Sequence, residues 1–169
     1  MTNFSIYPDS FYSELLEKCN SAEVYRGINL TSLRGGVKAD IILHRSGVYV
    51  IVMVDEDGTL YADDNNDQWK VRDFDGNMHY IENYSRVARE NAKILSTKCK
   101  EMMPFIKPVL VFSDRTCVAE KQIAEEVIAQ SIELFLSNMM IDEYAARVIP
   151  AEIMPTFRKQ LDFLKMVSK

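Results

Sequence analysis

From Val37 to His44 the side chains divide into two sets, Val37, Ala39, Ile41 and Leu43 on one and Lys38, Asp40, Ile42 and His44 on the other, the period of a β-strand. Asp40 therefore falls in mid-strand. Arg45-Ser46-Gly47 turns the chain into Val48 to Val54, an apolar run rich in β-branched residues and without polar alternation, which predicts a central strand covered on both faces. Before this pair, Asp9 or Ser10 is placed to cap a helix carrying Phe11, Leu15 and Leu16 and ending at Asn20 and Ser21. A strand from Val24 to Leu33 follows, and Arg34-Gly35-Gly36 supplies a hairpin turn.

Turn residues at Asp55-Glu56-Asp57-Gly58 and Asp63 to Asp67 bound a short strand at Thr59 to Ala62, and a further strand at Trp69 to Phe74 ends on Asp75-Gly76-Asn77. The period then changes. Tyr84, Val87, Ala88, Asn91, Ile94 and Leu95 fall on one face of a helix over Tyr80 to Lys100, with Glu82, Arg86, Arg89, Glu90 and Lys93 around the other. Phe105 to Phe112 reads as a strand. Glu120 to Asn138 reads as a helix with Ile123, Val127, Ile128, Ile132, Phe135 and Leu136 buried, and Met154 to Val167 as the last helix. The expected order is α-β-β-β-β-β-α-β-α-α, an α/β (α+β, mixed-sheet) class with helices flanking one central sheet.

With 169 residues, 47% of them hydrophobic and 27% charged, the chain has the size and balance of one globular domain, read here as 1–169. The longest apolar run is far shorter than the ~20 residues of a membrane helix, and Met1 to Tyr12 has no basic start or apolar signal core. A cytoplasmic protein without membrane contact is expected. Cys19, Cys99 and Cys117 are odd in number and widely spaced, which suggests reduced structural thiols rather than disulfides or paired zinc ligands. A net charge of −5 opposes strong nonspecific binding to nucleic acid, because phosphate contacts need clustered Lys and Arg.

The strand beginning Ala39-Asp40, its Gly47 turn, the apolar strand after it, the acidic turn and Trp69 together resemble the nuclease-related domain (NERD) family. Asn83 at a helix start and Pro108 to Phe112 extend the likeness, which covers about 24–112 and leaves the C-terminal helices at 120–167 outside it. The resemblance implies a restriction-endonuclease-like core of the PD-(D/E)XK superfamily, in which Asp and Glu hold a divalent metal on the sheet face while Lys assists the attacking water. Hard cations take carboxylate oxygens and lower the pKa of bound water, hence those residue types. Carried over, the aspartate is Asp40, while the glutamate and lysine positions fall on Val52 and Val54, and the helix box retains Asn83 but has Val87 in place of its Gln. The motif is degenerate.

The expectation is therefore a pseudoenzyme: a nuclease-related module that binds or assembles, without cofactor, with a protein partner or a second copy of itself, and with weak or no nucleic-acid binding. Asp40 is its relic catalytic position. One alternative is a nuclease dependent on Mg or Mn whose ligands have moved, with Asp40 joined by Glu82 or Glu90, and Lys93 one turn on. Another is an α/β domain whose likeness to nucleases is topological only. The acidic segments Asp55 to Gly58 and Asp63 to Asp67 carry calcium-type oxygen ligands but lack the Gly and Glu of an EF-hand loop, and read as turns. His44 and His79 read as too isolated for a metal pair or a triad. Nine methionines, most of them in the second half, read chiefly as core filling.

Overall fold

The computed structural model describes residues 7–30 and 38–168. Helix α1 (Tyr7–Lys18) leads to β1 (Glu23–Asn29), β2 (Lys38–His44) and β3 (Gly47–Val54). Then come β4 (Gly58–Asp63), β5 (Gln68–Arg72), β6 (Met78–Glu82), α2 (Tyr84–Lys98), β7 (Ile106–Phe112), β8 (Thr116–Gln122), β9 (Ile128–Ser131), α3 (Ile132–Tyr144) and α4 (Met154–Val167). The fold class is α/β, with two mixed sheets flanked by helices rather than one. The larger has the order β1-β2-β3-β7-β9 and the smaller β6-β5-β4-β8.

Strands β1, β2 and β3 form an antiparallel meander, and β3 pairs in parallel with β7, which pairs in parallel with β9. As the unbroken apolar run of β3 requires, helices cover both faces of this sheet. On one face Ile41, Leu43, Val48 and Val50 pack with Leu95 of α2 and with Phe157 and Leu161 of α4. On the other, Ile42, Tyr49, Ile51, Val109 and Val111 pack with Phe11 and Leu15 of α1 and with Phe135 and Leu136 of α3. The two sets of β2 side chains thus enter two different layers.

The smaller sheet continues the larger one. The parallel pair β3/β7 runs on as the parallel pair β4/β8, and Leu60, Ala62, Trp69 and Val71 pack with Val54, Leu110, Phe112 and Ala88. The junction is held by side chains. Ser113 Oγ donates to Asp55 at 2.6 Å, Arg115 grips Asp55 with Nε at 3.0 Å and Nη2 at 2.9 Å, and Glu56 N donates to Thr116 Oγ1 at 2.8 Å.

Several elements differ from the sequence reading. Helix α1 begins at Tyr7, so Asp9 and Ser10 lie in its first turn instead of capping it, and Leu16 is exposed. The hairpin at Arg34 to Gly36 lies outside the described residues. Glu82 ends strand β6 instead of lying on a helix, because 78–82 pairs with β5, and Asn83 caps the helix that follows. The helix expected over Glu120 to Asn138 is instead β8, β9 and the first half of α3. Its apolar spacing fits a helix, but β4 and β7 offer open edges to 116–122 and 128–131, and strand pairing with distant residues overrides the local period. Cys117 is exposed, unlike Cys19 and Cys99, and the methionines divide, with Met102, Met139 and Met154 buried and Met78, Met103, Met140 and Met166 exposed.

Candidate functional site

The candidate site is built around Asp40, where β1 departs from regular pairing. Tyr25 stands opposite Ile41 and Ile28 opposite Ala39, so β1 spends one residue more than β2 over this interval, a β-bulge. Gly27 takes the positive φ of +66° that the bulge requires. Its N–H, out of the ladder, donates to Asp40 Oδ1 at 2.9 Å, and Tyr12 of α1 donates its hydroxyl to Asp40 Oδ2 at 2.7 Å. Arg26 lies over the Tyr12 ring at 5.0 Å and pairs with Asp9. Burial, and then the adjacent Asp40 charge, pushes the Tyr12 hydroxyl far above the ordinary tyrosine range, so it remains a donor. Both oxygens of the carboxylate thus have protein partners.

The register decides which residues surround it. Asp40 pairs with Ile51, and directly paired residues share a face, so Asp40, Ile51 and Met53 look toward α1 and α3. Val52 and Val54 look the other way, into the cluster with Leu110 and Trp69. The family resemblance would bring Asp40, Val52 and Val54 to one face of the sheet; the structure does not, since the odd and even positions of β3 enter different layers. In either register the neighbours are apolar. The α2 residues that reach the Val52 and Val54 cluster are Tyr84 and Ala88, while Val87 is half-buried beside them.

The other carboxylates do not gather at Asp40. Glu90 and Lys93 are exposed on α2, which packs on the opposite face of the sheet from Asp40, and Glu82 is exposed at the end of β6. Relocation of Glu90 as a companion ligand is thus opposed by a full layer of sheet. Asn83 is a cap: its Oδ1 accepts from Arg86 N at 3.0 Å, and its Nδ2 donates to Asn66 O at 2.9 Å. In the acidic turns Asp55 accepts from Arg115 and Ser113, and Asp64 Oδ2 accepts from Ser85 Oγ and Ala124 N, while Asp64 Oδ1 is buried without a hydrogen-bond partner among the described residues.

A second polar group on the Asp40 face of β2 was not foreseen. His44 is fully buried, with Nε2 2.6 Å from Glu143 Oε2 and Nδ1 2.6 Å from Ser46 Oγ, which in turn lies 2.7 Å from the Tyr49 hydroxyl. Ser21 donates to both Glu143 oxygens, from Oγ at 2.6 Å and from N at 2.9 Å. His44 is thus not isolated; its partner lies 99 residues along the chain, a distance no local spacing reveals. Although hydroxyl, imidazole and carboxylate stand in series, Ser46 and His44 are buried and Tyr49 occupies the serine oxygen, so the chain of groups braces α3 against β2 and offers no nucleophile to solvent. His79 is exposed on β6. Neither family models, nor curated proteins, nor solved structures give a match to this chain.

Proposed function

We propose that the chain is a catalytically degenerate nuclease-related module that acts by binding or assembly rather than by hydrolysis. The observation that carries this reading is the state of Asp40, whose two oxygens serve Tyr12 and Gly27 and whose neighbours on β3 are Ile51 and Met53. A divalent ion needs several oxygen ligands converging on one point, and the side chains beside Asp40 on the sheet offer none. A mixed sheet flanked by helices agrees with the core that the family resemblance implies.

The test couples stability to activity in one variant. Asp40→Ala strands the Tyr12 hydroxyl and the Gly27 N–H, so it is expected to cost about 3 kcal/mol, with Asp40→Asn costing less. The wild-type protein, incubated with single-stranded and duplex DNA in magnesium or manganese, is expected to leave both intact. Metal-dependent cleavage that disappears in Asp40→Asn while the fold persists would refute the reading and restore the enzyme.

A further inference from the structure

A cleft of about 380 Å³ opens where the α1 to β1 connection, the β2 to β3 turn and the N-terminal end of α4 meet. Asn20, Ser21, Glu23, Arg45, Arg147 and Arg158 supply its polar lining. Three guanidiniums against one carboxylate leave a formal charge of +2 there (3 − 1), on a chain whose net charge is −5. That local inversion of sign is the first observation.

The second is how little of this cationic capacity is used. Arg158 pairs with Glu23 through Nε at 2.7 Å, but neither Arg45 nor Arg147 has a carboxylate within ion-pair reach among the described residues. Arg45 Nη1 donates to Glu143 O and Arg147 Nη1 to Ile149 O, each at 3.2 Å. A guanidinium carries five N–H donors, so one carbonyl leaves most of them free, and Arg45 Nε is buried with no acceptor among the described residues. Holding one loop carbonyl apiece accounts for the position of these side chains, yet not for collecting three like charges around one cavity. The Glu143 carboxylate is directed to Ser21 and His44 and forms no ion pair with Arg45 or Arg147.

We propose that this cleft binds a phosphomonoester. The dianion carries about −1.5 to −2 charge near neutral pH, close to the excess of the lining. Its oxygens accept from several planar guanidinium forks at once, a geometry that suits arginine better than lysine, and the Asn20 amide adds a neutral donor at the rim. The volume suits a small-metabolite ligand. The inference rests on the cleft alone and stands apart from the family reading.

The experiment is calorimetric titration of the full chain with inorganic phosphate at fixed ionic strength, with chloride as the control salt. Saturable binding to phosphate is expected, and Arg147→Gln and Arg158→Gln are each expected to weaken it about tenfold, the loss of one charge-assisted contact. Arg147→Lys, which keeps the charge and loses the fork, should fall between. A nucleoside 5′-monophosphate that binds at least as tightly as phosphate identifies a free metabolite as the source. Tighter binding only of a 5′-phosphorylated oligonucleotide, compared with its 5′-hydroxyl form, identifies a strand end. Melting curves without phosphate verify that each variant is folded, and if Arg147→Gln is not, Arg158→Gln carries the comparison. Heats indistinguishable from chloride, or equal affinity in wild type and in folded arginine variants, would overturn the proposal.

Discussion

Glu143 shows how one part-buried side chain ties distant parts of the chain together. Burial pushes its carboxyl up, but hydrogen bonds from the Ser21 hydroxyl, His44 and the Ser21 N–H outweigh this and leave it below the ordinary glutamate range. A carboxyl whose folded value is depressed contributes stability that is fully present above its unfolded value, about 4.3, and is lost as pH falls through the folded value. The melting temperature of Glu143→Gln, measured from neutral to acidic pH beside wild type, is expected to lie below it by a margin that is widest near neutrality and narrows below the ordinary glutamate range. A margin that widens on acidification would contradict the assignment. Asp40 does comparable work earlier in β2, and there its place within a strand was readable while its partners, the Tyr12 hydroxyl and the Gly27 N–H, were not. The register was not, because a one-residue shift exchanges the faces of β3, and the bulge at Gly27 leaves no separate mark in the pattern of apolar residues.

At the scale of elements, the sequence was most legible where a local period and a long-range role agree. Helix α4 matches its expected span of Met154 to Val167, and β3 and β7 are the apolar strands their composition requires. It was least legible at β6, β8 and β9, whose residues become strands only because β4, β5 and β7 present edges to them. The smaller sheet also depends on one glycine. Gly58 has φ +134°, and a Cβ built on it would lie 2.2 Å from the Arg72 carbonyl oxygen across the β4 to β5 pair. Gly76 also has positive φ, +87°, but has open space around it. Gly58→Ala is accordingly expected to cost more than about 3 kcal/mol in denaturant unfolding, since strain and backbone overlap add, while Gly76→Ala costs about 1–2 kcal/mol from φ alone. Equal losses would show that β4 can withdraw from β5 without penalty.

Across the whole molecule, the junction where one sheet's strands lead into the other's sets the behaviour. Because β3 leads into β4 and β7 into β8, with Asp55, Ser113, Arg115 and Thr116 joined at the crossing, neither sheet can lose its parallel pairing without disturbing the other. Native-state hydrogen exchange is therefore expected to give amides of β4 and β8 nearly the same opening free energy as those of β3 and β7. Exchange of the smaller sheet several orders of magnitude faster would show two separable units. The stretch from β4 to β6 follows one core strand and precedes the helix that leads to the next, so on a linear map it looks like a passenger, a hairpin array that could be trimmed to a short loop. The junction says otherwise. Cutting it out would leave β8 with no neighbour to lie on, and would uncover Val54, Leu110 and Phe112 at the end of the larger sheet, so a shortened chain would inherit a sticky edge in place of a simpler fold.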